Sequence, residues 1–307
     1  MKTSFLYIAL LLITLVASCG FRMGPEGETR SEEEIRLERA CRIDSTMMIS
    51  DSIARQDGLG DLTAEAWILV EDSTGILISA KNANKRMFMA SLTKMMTCLL
   101  ALENGNMGDT VVITQDVFLT KDSRVRPDDS YLLGNMIREM MLQSDNNAAT
   151  ALAKHIGGGT ESFCEMMNAK AAYLGMDSTH FANANGMPND SNYSSARDLV
   201  VLSRYCMGDS VFASIAGTSF MDIPLTDGRH LPCENTNLLL QEYEGCIGVK
   251  TGYTRQAGSC LAAAATRNGR RLFLILLNSR SRSSRFTESA VLLDHGFSVL
   301  QTKNSKP

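Results

Sequence analysis

The chain has 307 residues, 44% hydrophobic and 21% charged, ordinary proportions for a globular protein with a sizeable core. Its net charge is −4 and no long basic run occurs, which argues against nucleic acid as a partner. Eight cysteines occur without any C-x-x-C spacing, so neither a zinc site nor a disulfide framework is indicated and no metal is expected.

In chain order, the first feature is a short positive start at Lys2 followed by an apolar run from Phe5 to Val16, broken only by Thr14. That run is short for a bilayer span and has the length of a signal-peptide core. Leu15-Val16-Ala17-Ser18 then lead into Cys19, similar to the lipobox at which bacterial lipoproteins are cut and acylated. Residues 1–18 are therefore expected to be a signal peptide, and Cys19 to carry lipid that holds the protein at a membrane. This places it in the cell envelope on the extracytoplasmic side, periplasmic or outer face. Residues 19–60 read as an acidic tether, rich in Gly, Pro and Glu at first. Ser31 before Glu32-Glu33-Glu34 marks the start of a solvated helix over about 32–55, so the tether is partly helical.

Two strands are expected at Ala66–Val70 and Ile76–Ile78 about the turn Asp72-Ser73-Thr74-Gly75. Helical spacing follows at Leu92–Leu102, Tyr131–Leu142, Ala148–Ile156, Glu161–Leu174 and Ser195–Cys206. Strands return at Cys246–Thr251, Ser259–Thr266 and Arg271–Leu277, the last two joined by the hairpin signal Asn268-Gly269, and Arg285–Phe297 is a closing helix. Strands at both ends with helices between predict an α/β fold: an antiparallel sheet flanked by helices, with an inserted helical lobe. The folded domain is expected over residues 61–300, with 301–307 as a C-terminal tail. Cys98, Cys164 and Cys206 lie in apolar helical stretches and read as small buried residues, while Cys233 with Cys246 is the pair to test for a disulfide.

Three short motifs carry chemistry. Ser91-Leu92-Thr93-Lys94 opens a helix, where residues three apart share a face and the Lys94 amine can sit beside the Ser91 hydroxyl. A free lysine titrates near about 10.4, so Lys94 must be desolvated or near another cation to act as a base. Ser144-Asp145-Asn146 falls between two helices; Asn146 offers a donor and an acceptor, and Ser144 can relay a proton. Lys250-Thr251-Gly252 ends an apolar strand, where a cation and a hydroxyl suit a carboxylate and Gly252 permits close backbone approach. Each motif alone is weak, but S-x-x-K with S-D-N and K-T-G in this order is the signature of penicillin-binding proteins and class A β-lactamases.

With these motifs the chain resembles the low-molecular-mass serine D-alanyl-D-alanine carboxypeptidases, which have a β-lactamase/transpeptidase-like fold. The resemblance extends through Met89–Thr97, Met141–Ala148, Phe181-Ala182-Asn183, Asn185-Gly186-Met187, Ser194–Leu199, Gly248–Thr254 and Arg285-Phe286 with Glu288-Ser289. It implies that Ser91 attacks the carbonyl between two terminal D-alanines with Lys94 as its base, assisted by Ser144 and Asn146. It implies an oxyanion hole from the backbone N–H groups of Ser91 and Tyr253, and a carboxylate site from Lys250, Thr251, Gly252 and Arg285. The implied substrate is a peptidoglycan stem peptide ending in D-Ala-D-Ala, with β-lactam antibiotics as covalent inhibitors and no cofactor. Asp145 stands where these carboxypeptidases often have glycine, a β-lactamase-like departure.

Two alternatives remain at this level. A class A β-lactamase needs a further carboxylate, typically in E-x-x-L-N between the second and third motifs; the nearest form, Glu139-Met140-Met141-Leu142-Gln143, precedes the second motif. A wall-binding scaffold of the penicillin-binding fold would not need to keep Ser91 and Lys94, whereas a non-turnover sensor also acylates and differs only in turnover. The histidines His155, His180, His230 and His295 lie in unrelated contexts and read as structural or surface residues.

Overall fold

Strands buried on both faces need no alternate polar positions, which is why the strand-forming runs read as nearly continuous apolar stretches. In a computed structural model of the chain, residues 31–43, 59, 62–120 and 123–304 are described. The expected signal peptide, Cys19, most of the tether and residues 305–307 lie outside them.

The elements begin with helix α1 (Glu32–Cys41), strands β1 (Ala66–Glu71), β2 (Leu77–Lys81) and β3 (Met87–Phe88), and a 3-10 turn at Ala90–Thr93. Helix α2 (Lys94–Asn104), strands β4 (Thr110–Val112) and β5 (Ser130–Leu132), and helices α3 (Leu133–Gln143), α4 (Asn146–Gly157) and α5 (Thr160–Tyr173) follow. Next are β6 (Tyr193–Ser194), α6 (Ala196–Met207), α7 (Ser210–Ala216), β7 (Phe220–Pro224) and β8 (His230–Glu234). The last elements are α8 (Leu239–Glu242), β9 (Cys246–Thr254), β10 (Gly258–Arg267), β11 (Arg270–Ser279) and α9 (Ser284–Asn304). Gln301–Asn304, expected as tail, continue this closing helix.

Five strands form one sheet in the order β2-β1-β11-β10-β9. Strand β1 pairs antiparallel with β11, from Ala66 opposite Leu277 to Glu71 opposite Leu272, so the two ends of the domain close on each other. The helices from α2 to α7 enter between β2 and β9, which is the expected inserted lobe.

Side chains alternate across the sheet and sort into two cores. Ile68, Val70, Ala262, Ala264, Phe273 and Ile275 face the helical lobe and its α2, α3 and α6 side chains. Trp67, Leu69, Leu261, Ala263, Leu272, Leu274 and Leu276 face the other way, against Leu292, Leu293 and Phe297 of α9. Each such large side chain contributes about 1.5–3 kcal/mol on burial. The sheet is thus a rigid partition, and its edge strand β9 borders the lobe.

The chain divides into two units, Met1–Ile35 and Arg36–Pro307. In the first, Ser31 Oγ accepts from the Glu34 N–H at 3.2 Å and the Ser31 N–H donates to Glu34 Oε2 at 2.9 Å, a capping box that starts α1 as expected. In the second, the remainder of α1 is docked and not solvated. Ala40 is buried, the Arg36 guanidinium stacks 4.0 Å from the Tyr205 ring centre, and Arg204 Nη1 donates to Ala40 O at 2.9 Å.

No disulfide joins the cysteines of the described residues. The Cys233–Cys246 pair is not formed: Cys233 Sγ donates to Leu231 O and Cys246 Sγ to Gly248 O, each at 3.4 Å within its own segment.

Candidate active site

Ser91 sits in the 3-10 turn, with the α-helix proper beginning at Lys94. This revises the expectation that Ser91 itself opens the α-helix. The turn is held by Leu92 N–H donating to Met89 O at 3.2 Å and Thr93 Oγ1 donating to Ala90 O at 2.9 Å. Ala90 takes a left-handed conformation, φ 48°, an uncommon state for a residue with a side chain.

Strand β9 lies directly against this turn. A Cβ on Gly252 would fall 3.0 Å from Met89 O and 3.1 Å from Ser91 N, so a side chain there would push the strand and the turn apart. On the other side, the loop 183–187 meets the same turn. Gly186 has φ 82° and a Cβ there would lie 2.1 Å from Ala90 O. Asn183 Oδ1 accepts from Gly186 N–H at 2.7 Å and Asn185 Oδ1 from Met187 N–H at 2.9 Å, which fixes the loop.

Lys94 is fully buried and reaches the Ser91 turn, the residue Asn146 and the loop 183–187. Its Nζ donates to Ser91 Oγ at 3.0 Å, to Asn146 Oδ1 at 2.8 Å and to the Asn185 carbonyl. Burial lowers its amine from 10.5 to about 7, against the partly opposing charges of Asp145 and Glu139. A large fraction of free amine is therefore present near neutrality, hydrogen-bonded to a serine hydroxyl.

The second motif is split between structure and site. Ser144 ends α3 in the left-handed conformation, φ 62°, and turns the chain toward α4. Asp145 is the cap of α4, accepting from Asn147 N–H at 2.8 Å and Ala148 N–H at 3.0 Å, and Ser123 Oγ donates to its other oxygen. The aspartate where glycine is common thus ties a neighbouring loop to the helix start. Asn146, first in the helix, meets Lys94.

In the third motif Lys250 is fully buried, and its Nζ donates to Thr251 O at 3.2 Å. Burial, then the charges of Lys94 and Arg285, pull its amine well below the ordinary range. Thr251 Oγ1 is 2.7 Å from Thr236 Oγ1. Arg285 comes from α9 and donates through Nη1 to Gly252 O at 3.0 Å, with Nε unpartnered. Burial lowers its guanidinium to about 10, still charged at neutral pH. Tyr253, half exposed, lies under the Arg282 guanidinium at 4.5 Å.

The D-alanyl-D-alanine carboxypeptidase family, a peptidase family, matches residues 51–281. The chain belongs to this family. The carboxypeptidase is 32% identical over 262 residues to the D-alanyl-D-alanine carboxypeptidase DacF of Bacillus subtilis, covering 82% of this chain and 67% of that protein. It is 34% identical to a D-alanyl-D-alanine carboxypeptidase of Mycobacterium tuberculosis, covering 83% of this chain and 88% of that protein. Among solved structures, the Streptomyces K15 DD-transpeptidase is similar with a TM-score of 0.72 and 30% identity, over 77% of this chain and 98% of that one. The α/β fold with its inserted helical lobe is that of these penicillin-binding enzymes.

Sequence reasoning did not assign three participants of the carboxypeptidase site. The Asn185 carbonyl is a Lys94 partner, and the Asn-x-Asn-Gly turn around it was the available signal. Thr236 and Arg282 reach Thr251 and Tyr253 from segments with no motif of their own.

Proposed function

We propose that the protein removes the terminal D-alanine from peptidoglycan stem peptides through an acyl-enzyme on Ser91, from a lipid-tethered position in the cell envelope. The observation that carries this reading is the buried Lys94 amine within hydrogen-bond reach of Ser91 Oγ. Ser91 Oγ gives its proton to Lys94 and attacks the carbonyl of the penultimate D-alanine. The backbone N–H groups of Ser91 and Tyr253 hold the resulting oxyanion. Support for this pairing comes from the close packing of Gly252 on the Ser91 turn. The free carboxylate of the last D-alanine pairs with Lys250, Thr251 and Arg285.

Collapse of the tetrahedral state breaks the peptide bond, and the leaving amine takes the proton from Lys94. Water then attacks the ester, Lys94 takes its proton and passes it to Ser91 Oγ as the ester C–O bond breaks, and the shortened peptide leaves with both residues restored. A β-lactam ring presents the same carbonyl and carboxylate, so it acylates Ser91 without a leaving group that departs. As an edge strand, β9 has one row of backbone groups open to an extended peptide. Among the described residues no carboxylate is hydrogen-bonded to Ser91 or Asn146, which favours slow deacylation over β-lactamase turnover.

The test is intact-protein mass after mixing with benzylpenicillin, together with D-alanine release from diacetyl-lysyl-D-Ala-D-Ala. A lasting penicilloyl adduct and steady D-alanine release are expected; rapid loss of the adduct would make the enzyme a β-lactamase, and an adduct without D-alanine release a sensor. The tether rests on Cys19: Cys19→Ser is expected to move the protein from the membrane pellet to the soluble fraction, and continued pelleting would end that part of the reading.

A further inference from the structure

The chain enters the sheet beside the active site. Thr63 N–H donates to Glu288 Oε1 at 2.9 Å, Glu65 N–H donates to Leu277 O at 3.1 Å, and Thr63 Oγ1 lies 3.4 Å from Ser279 Oγ. Across the sheet, Ser279 pairs with Ser259 and Ser259 with Tyr253, while Trp67 pairs with Leu276, Leu276 with Leu261 and Leu261 with Thr251. Thr63 therefore stands at the Lys250–Tyr253 end of the strands.

Helix α1, which precedes it in the chain, is held at the opposite end. Arg204 on α6 is buried, and its Nη1 donates to the Ala40 carbonyl at 2.9 Å and to the Arg42 carbonyl. Its Nε donates to Asp72 Oδ1 at 3.3 Å and its Nη2 to Asp72 O at 2.7 Å, and Arg39 pairs with the same carboxylate. One buried guanidinium thus ties the last turn of α1 to the residue after β1, satisfying a carbonyl that the helix leaves open. Asp72 lies five residues beyond Trp67, about 17 Å along the strand from the level of Thr251. A Cβ on Gly75, in the turn that follows, would strike the Arg42 carbonyl, so this turn too is shaped to the helix end. The helices give the same answer independently. Arg36 Nη2 donates to Tyr205 Oη at 2.8 Å and pairs with Glu103 Oε1 at 3.5 Å. Glu103 is in the last turn of α2, about 14 Å along that helix from Lys94.

We infer that this dock sets the exit point of the lipid tether, moving it from Thr63, beside the site, to the end of the domain away from Ser91. Only sixteen residues lie between Cys19 and Arg36, at most about 60 Å of extended chain. The exit point therefore governs which end of the domain lies nearer the membrane. With α1 docked, wall peptides reach Ser91 without passing between the domain and the bilayer. The inference rests on the lipid-tether reading of Cys19 and is independent of the chemistry at Ser91.

The experiment is energy transfer from a dye on the full-length lipidated chain to acceptor lipids in phosphatidylethanolamine–phosphatidylglycerol vesicles. The dye is placed at the site end by Arg280→Cys or at the opposite end by Glu244→Cys, with Cys41→Ser removing the exposed native thiol. Transfer from position 280 is expected to be about twofold or more weaker than from 244, since the two ends of the strands are about 20 Å apart. Arg36→Glu with Ala40→Asp sets acids against Glu103 and the buried face of α1, and should free the helix while the domain stays folded. Arg204→Met removes the hub from the domain side. In both variants trypsin should cut after Arg39 and Arg42, and transfer from 280 should rise to that from 244 or above it. Equal transfer from both positions before release, transfer unchanged after release, or rapid cutting at Arg39 and Arg42 in the unaltered chain would each overturn the inference. A chain that does not bind vesicles at all would end the tether reading and this inference with it, whereas a bound chain with equal transfer would end this inference alone.

Discussion

Ser91→Ala is expected to fold, to form no adduct with benzylpenicillin, and to lose D-alanine release by more than about 10⁴-fold. The fold should survive because the Ser91 hydroxyl meets only Lys94, while the turn is held by the Met89 and Ala90 carbonyls and by the packing of Gly252. Removing one hydroxyl from a partly exposed position costs about 1 kcal/mol or less, so the melting temperature should shift by only a few degrees. Activity should collapse because no second hydroxyl is in place to replace it: Ser144 Oγ has no hydrogen bond to Lys94. Intact mass, D-alanine release and a thermal melt on the same preparation check all three statements. An adduct on the variant would move the nucleophile elsewhere, and a variant that does not fold would give Ser91 a structural role that its contacts do not indicate.

Much of this architecture was legible because its signals are local or periodic. The strands β1, β10 and β11 announce themselves as apolar runs, and Asn268-Gly269 supplies the turn between the last two. The three motifs mark three segments of the chain; of their residues Asn146 meets Lys94 and Gly252 packs on the Ser91 turn. What sequence does not carry is the geometry between segments. Nothing near Ser91 says that its helix begins with a 3-10 turn, since that shape follows from β9 and the loop 183–187 pressing on the turn from two sides. The hairpin β7–β8 escaped because few of its side chains are buried and two prolines interrupt it, although Asp227-Gly228 marks its turn. Glu139 illustrates the same limit. By motif it stands in the wrong place to be a deacylating base. Only the packing of α3 against α2 and α4 buries it, with both carboxyl oxygens unpartnered.

Lys94→Met should slow acylation of Ser91 by about 10²- to 10⁴-fold or more, and erase the acid limb of the wild-type profile near pH 7. Methionine approximates the length and volume of the lysine stem, so the turn and the core around α2 remain filled. Three acceptors lose their donor: Ser91 Oγ, Asn146 Oδ1 and the Asn185 carbonyl. That loss opposes the relief of removing a buried amine, so the sign of the stability change at one pH is not diagnostic. Its pH dependence is. The amine titrates near 7 when folded and 10.5 when unfolded, so between these values the unfolded chain binds the extra proton. The cost of burying Lys94 is then fully present below pH 7 and fades as pH rises toward 10.5, and the wild type must gain stability relative to the variant across that interval. Chemical denaturation of both proteins at several pH values reads this directly. A difference that stays flat across the interval would mean that Lys94 remains an ammonium in the folded enzyme, leaving Ser91 without the base this geometry assigns to it.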